Sequence, residues 1–294
     1  MTEPAFSLRT SGRLRRRQLV NRLMGALALG AALLAVSVLA IVVISVASRG
    51  ASALNLDFFT KNQAQGFNPT GGGIRFAIVG TGVIVGIATL MALPLGVMIA
   101  IFLSDLASPR LARVTRLALD VTNGIPTIVI GIFVYTIVVA AHGQSALAGS
   151  LALAIIMVPL IARSTEEVLL LIPTSQREAS LALGVSRWRT TFGIVIPSAM
   201  GGILTGTTLA IARAAGETAP LLFLTSLGTS ATADSNPLHP LQSMTYAIFN
   251  YSEQGDPGFQ AKAWATAFTL MCFVLVTSLG AKLGMARYRK KMGG

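Results

Sequence analysis

Residues 13–47 read RLRRRQLVNRLMGALALGAALLAVSVLAIVVISVA. Arg13, Arg15, Arg16, Arg17 and Arg22 crowd the start, and no charged residue follows from Leu23 to Ala47. Crossing a bilayer as a helix takes about 20 apolar residues, and this run exceeds that. The apolar core of a cleaved secretory signal is only about 7–15 residues, so the segment reads as an uncleaved membrane anchor. Five further stretches reach the same length, near 74–103, 117–141, 146–163, 192–225 and 263–283. The fold class is therefore an all-α polytopic membrane protein with six transmembrane helices. The short gap His142–Ser145 makes the third and fourth spans a tight hairpin.

Composition agrees. The 294 residues are 53% hydrophobic and 12% charged, with a mean hydropathy of +0.70. Soluble domains are about one quarter charged, which excludes an ordinary soluble globule. The net charge of +12 does not point to nucleic acid, because most of the chain has no polar face to present. Its distribution explains it better. Arg9, Arg13, Arg15, Arg16, Arg17 and Arg22 precede the first span, and Arg110, Arg113 and Arg116 lie between the second and third. Arg177, Arg187 and Arg189 lie between the fourth and fifth, and Lys282, Arg287, Arg289, Lys290 and Lys291 follow the sixth. Only Arg49, Lys61, Arg75 and Lys262 fall on the other side. Cytoplasmic loops carry the excess of Lys and Arg, so both termini are expected in the cytoplasm. Contact with anionic membrane lipid is secondary.

The expected organisation is a basic cytoplasmic segment (1–22), a first span with its outer loop (23–73), a core of five further spans (74–283) and a basic cytoplasmic tail (284–294). Within the core lie an inner loop at 172–191 and an outer loop at 226–262. That outer loop holds Tyr246, Phe249 and Tyr251, residues suited to the membrane–water interface, and a short helix is expected near 240–250. Two readings stand for it, packing or docking of an external partner.

Several signals resemble chemistry without supporting it. Gly80, Gly82 and Gly86 approximate a dinucleotide fingerprint with one residue too many, inside a span. Small residues four apart, Gly82/Gly86, Gly202/Gly206 and Gly280/Gly284, read instead as close helix packing. No Gly-Lys dipeptide occurs, so no P-loop is present. Cys272 is alone, and His142 and His239 have no companions at ligand spacing. Neither a metal site nor a catalytic residue is expected. Pro94, Pro126, Pro159, Pro197 and Pro220 interrupt or bound spans, where each removes a backbone hydrogen bond. The strongest break is Asn123-Gly124-Ile125-Pro126, and Gly216 with Pro220 is next. These breaks either curve helices or line a translocation path.

Two features rise above this background. In the inner loop, Thr174 or Ser175 can cap a short helix that Gly184 ends, with Ala179, Ala182 and Leu183 forming a small, smooth face. The sequence Glu178-Ala179-Ser180, then Gly184, then Ile194-Val195-Ile196-Pro197 resembles the EAA loop of type I ABC importer permeases, with Ser180 and Ile196 as conservative departures. The resemblance implies a coupling helix at Glu178, Ala179 and Gly184, seated on an ATPase subunit.

The second feature is Arg213 with Glu217, expected on one helix face because they are four apart. An ionisable side chain at bilayer depth costs about 2.5–3.5 kcal/mol on insertion scales, so the pair should face the bundle interior or a wet cavity. Arg213 keeps its charge and offers a planar fork to an oxyanion. The stretch 212–223 is similar to the signature of PstA-type permeases of phosphate ABC importers. Gly72-Gly73-Ile74, Gly80-Thr81, Pro94-Leu95-Gly96 and Gly124 to Val129 agree with it.

That resemblance implies an alternating-access phosphate permease with Arg213 and Glu217 on the substrate path. It implies partnership with a PstC-like permease, two PstB-like ATPases that bind ATP and Mg, and a PstS-like phosphate-binding protein. The chain itself would hold no cofactor and do no covalent chemistry. The alternatives are a permease for sulfate or molybdate, or an ion-coupled secondary transporter.

Overall fold

A computed structural model describes residues 12–63, 68, 71–226 and 235–292. The start of the basic N-terminal segment, parts of both outer loops (Pro69 included) and the last two residues of the tail lie outside the described residues. The chain divides into two compact units, Met1–Ser48 and Arg49–Gly294. The first is the body of helix α1 (Gly12–Gly50), whose apolar side chains, Leu27, Leu34 and Ile41 among them, lie exposed. A helix whose solvent is lipid has no need to bury them.

The second unit holds everything else. A short α2 (Leu56–Thr60), capped by Asn55 Oδ1 on the Phe58 amide at 2.8 Å, precedes α3 (Arg75–Ile101). α3 ends in a π-helical turn, Phe102–Leu106. α4 (Pro109–Gly124) and α5 (Thr127–His142) meet at 94°. Helix α6 (Ala146–Leu170) runs back through the centre, capped by Ser145. α7 (Thr174–Ala182) is followed by α8 (Arg187–Thr190), a π-helical turn (Thr191–Val195; another, Tyr135–Val139, lies within α5) and α9 (Ile196–Ala215). The remaining helices are α10 (Ala219–Leu224), α11 (Met244–Glu253) and α12 (Pro257–Met292). Among the described residues there is no β-strand, only an isolated bridge between Gln63 and Gly72.

The core is the α3–α6 pair. Ile84, Ala88, Ala92, Gly96 and Ala100 recur every fourth residue of α3 and are all buried. A Cβ on Gly96 would stand 2.8 Å from Ile161 of α6. Without a hydrophobic force between helices in lipid, such small residues allow the close approach that dispersion requires. Gly202 and Gly206 of α9 behave the same way against Val168 and Ser164. Gly82, Gly86, Gly280 and Gly284 do not, since nothing lies within 4 Å of a Cβ at any of them. The close-packing expectation holds for one pair of the three.

Among the described residues five helical runs are long and apolar enough to cross a membrane, and α4 with α5 makes a sixth only as a bent pair. The third expected span is thus not one straight helix. It starts at Pro109, turns at Ile125-Pro126, and both turning residues are extended (ψ 129° and 130°). Proline disfavours the helical region for the residue before it. The fifth span is also corrected, because its helix stops at Ala215 rather than continuing to 225. The fourth continues past 163 to Leu170. α6 begins against the 226–262 loop. Ala146 N donates to His239 O at 2.9 Å, and Leu147 N to Pro237 O at 2.9 Å, which satisfies amides that a helix start leaves open.

Candidate functional site

The two strongest sequence breaks come together. Arg213 lies in the last turn of α9, and its Nη1 donates to Asn123 Oδ1 at 3.4 Å, at the end of α4. One turn beyond the α4–α5 break, Gly131 packs on the α10 start, where its Cβ would be 2.7 Å from Pro220 Cα. Arg213, Asn123, Gly124, Pro126 and Gly216 are exposed in this chain, Glu217 is half-buried, and Pro220 is buried.

Arg213 and Glu217 do not share a helix face. The helix ends at Ala215, and Gly216 N and Glu217 N close 3₁₀-type turns on Arg213 O (3.0 Å) and Ala214 O (3.2 Å). Among the described residues no ion pair joins Arg213 to Glu217. Instead the Glu217 carbonyl accepts a hydrogen bond from Thr245 Oγ1 at 3.0 Å. The break thus ties the Glu217 backbone to α11 and leaves Arg213 exposed beside Asn123.

A polar cluster that the sequence reading missed holds α4 in place. Arg116, Asp120 and Asn123 lie on one stripe of α4. Arg116 Nη2 pairs with Glu166 Oε1 of α6 at 2.7 Å, and Arg163 Nη1 pairs with Glu166 Oε2 at 3.3 Å. Arg163 Nη2 also reaches Asp120 at 3.0 Å. The Glu166 side chain is 4% exposed. Two guanidinium partners compensate the desolvation that would otherwise make a buried carboxylate costly. The local signals were Arg116/Asp120 four apart and Arg163/Glu166 three apart, but nothing local joins α4 to α6.

The inner loop folds as a helix with an outward face. α7 begins after Pro173, with no side-chain cap, so the expected Thr174 or Ser175 cap is not formed. Gly184 does terminate it, with φ +78°, the left-handed region where glycine has no steric penalty. Glu178, Ala179, Ala182, Leu183 and Gly184 are exposed. Ser180 is buried, and its hydroxyl sits 2.9 Å from Thr190 Oγ1 of α8. The serine in place of alanine thus fastens α7 to α8. Among the described residues no group of three or more His, Cys, Asp or Glu gathers as a metal site.

Residues 92–290 match the family of binding-protein-dependent transport system inner membrane components. The phosphate transport system permease protein PstA of Yersinia pestis is 37% identical over 92% of this chain and 92% of its own length. PstA of Xylella fastidiosa (strain 9a5c) is 37% identical over 93% and 95%. PstA 1 of Mycobacterium tuberculosis (strain H37Rv) is 38% identical over 81% and 78%. The chain belongs to the PstA permease family.

Solved structures agree on the fold. A chain of a bacterial alginate ABC transporter, in complex with its pentasaccharide-bound periplasmic protein, superposes with a TM-score of 0.68 at 16% identity, covering 95% of this chain and 99% of that one. A chain of the MetNI methionine ABC transporter gives 0.53 at 19% identity, over 71% and 91%. The architecture is that of an ABC importer permease, a multi-pass membrane component and not an enzyme.

Proposed function

We propose that this chain is one permease subunit of an ATP-driven importer of inorganic phosphate and forms half of its translocation path by alternating access. The observation that carries the reading is the meeting of two helix breaks at Arg213 and Asn123, in a chain whose relatives are phosphate permeases. Arg213 supplies a permanent positive fork for an oxyanion. Asn123, Gly124, Pro126 and Gly216 line the path around it, while buried Pro220 packs behind it on Gly131. A second, PstC-like permease covers the open face and completes the path. Two PstB-like ATPases bind ATP and Mg and sit beneath α7, where Glu178, Ala179 and Gly184 face outward. A PstS-like binding protein delivers phosphate at the outer loops. Both termini lie in the cytoplasm of the bacterial inner membrane, as the loop cations require.

The test is labelled-phosphate uptake by the four-component complex in proteoliposomes. Accumulation should need both internal ATP and the binding protein. Preference for sulfate or molybdate, or uptake without ATP, would remove the reading.

Glu217 refines it. Its carboxylate accepts a hydrogen bond from phosphate that keeps a proton, whereas fully ionised sulfate offers none. Glu217→Gln should lower the preference for phosphate over sulfate about tenfold, the size of one charge-assisted hydrogen bond. Competition uptake measures it, and an unchanged preference would exclude Glu217 from selectivity.

A further inference from the structure

The cytoplasmic end of α3 is tied to α7 by side chains alone. Asp105 lies on the π-helical turn that ends α3. Its Oδ1 pairs closely with Arg177 Nη1 of α7 and accepts from Ser104 Oγ at 2.9 Å. Its Oδ2 accepts from Thr191 Oγ1 at 3.2 Å. Arg177 Nη2 also donates to Leu169 O, near the end of α6, at 3.1 Å. The two paired side chains are 22% and 15% exposed, far less than an ordinary surface ion pair. Four elements therefore converge on one carboxylate–guanidinium pair.

The covalent chain connects α7 only to α6 and α8. Without Asp105–Arg177, α3 would follow α7 only indirectly, through the Thr191 hydrogen bond and through packing against α6, the Thr191–Val195 turn and α9. Both Asp105 and Thr191 sit on π-helical turns, a rare conformation that is frequent at functional sites. A cavity of about 420 Å³ borders the pair, lined also by Leu181, Arg187 and Trp188, so the neighbouring side chains have room to shift.

At its other end α3 reaches the outer part of the site. Thr81 Oγ1 accepts from Met244 N at 2.8 Å, and the next residue, Thr245, donates to the Glu217 carbonyl. The contacts run without a gap from Arg177 through Asp105, along α3, to Thr81, Met244, Thr245 and Glu217. We propose that Asp105 and Arg177 form a positioning pair through which the α7 coupling helix drives α3, and with it the outer wall around Glu217. This rests on the importer reading above. It adds a third transmembrane element to the two that the coupling loop joins directly. A contiguous set of contacts is not by itself coupling, so the measurement must separate coupling from stability.

In the reconstituted complex, Asp105→Asn should leave binding-protein-stimulated ATP hydrolysis within about twofold of the parent. Phosphate transported per ATP should fall about two- to thirtyfold, the span of couplings carried by such contacts. Asp105→Glu, which keeps the charge and the acceptor oxygens, should restore most of the ratio. If Asp105→Asn loses assembly, or loses hydrolysis and transport in parallel, the pair only stabilises the fold and the inference is overturned. An unchanged ratio overturns it too. A parent complex that moves another anion would remove the phosphate reading, and the same ratio measured with that anion would still decide the role of Asp105.

Discussion

Replacing Arg213 with alanine is expected to lower ATP-dependent phosphate uptake about a hundredfold or more, to near background. Two charge-assisted hydrogen bonds from one guanidinium to an oxyanion are worth about 1.5–3 kcal/mol each, and each 1.4 kcal/mol is tenfold. Arg213 is exposed in the isolated chain, yet an arginine held against lipid costs about 2.5–3.5 kcal/mol on insertion scales. The proposed path meets that cost by covering this face with a second permease or with water. Arg213→Lys keeps the charge without the fork and should retain uptake roughly tenfold below the parent. Asn123→Ala removes only the long 3.4 Å contact and should cost a few-fold, in line with a weak hydrogen bond. Uptake is measured in proteoliposomes with matched amounts of assembled complex. Full uptake by Arg213→Ala would take Arg213 off the path.

Local sequence carried the spans and the breaks, because each depends on a few neighbouring residues. An uncharged run from Leu23 to Ala47 has one stable solution in a bilayer, and Gly124-Ile125-Pro126 cannot continue a helix undisturbed. The 94° turn at that break was not legible, since a break frees an angle and packing on α6 sets it. The Arg213–Glu217 pairing failed for a related reason. Spacing of four is a helix-face argument only while the helix continues, and Gly216 with Pro220 ends it first. Glu166 was invisible because its partners Arg116 and Arg163 differ in how they reach it. Arg163 is three residues away, but Arg116 is fifty residues away in sequence. The glycines show the same limit. A small residue at helical spacing permits close packing but does not select it, so Gly82 and Gly86 meet nothing in this chain while Gly96 meets Ile161.

Gly80 gives that distinction a large expected effect. A Cβ at Gly80 would fall 2.1 Å from Gln242 O, a backbone atom that cannot rotate away. Gly80→Ala must push residues 241–244 off α3 or bend α3 itself. The Thr81 Oγ1–Met244 N hydrogen bond at 2.8 Å would be strained with it. Overpacking a buried contact costs about 1–3 kcal/mol, sometimes more, and a buried amide left without its acceptor adds about 1–3 kcal/mol. Removing a glycine from a helix interior returns only about 1 kcal/mol, so destabilisation wins. At Gly86, six residues on along α3, the new methyl meets nothing within 4 Å, and only the helix gain remains. Thermal unfolding of the purified subunit in detergent should therefore show a clear drop in Tm for Gly80→Ala and no loss for Gly86→Ala. Because α11 and the Glu217 carbonyl are held through the same segment, the Gly80 variant should also lose uptake after assembly at a temperature where it stays folded. Equal stability of the two variants would mean that the outer segment does not rest on Gly80.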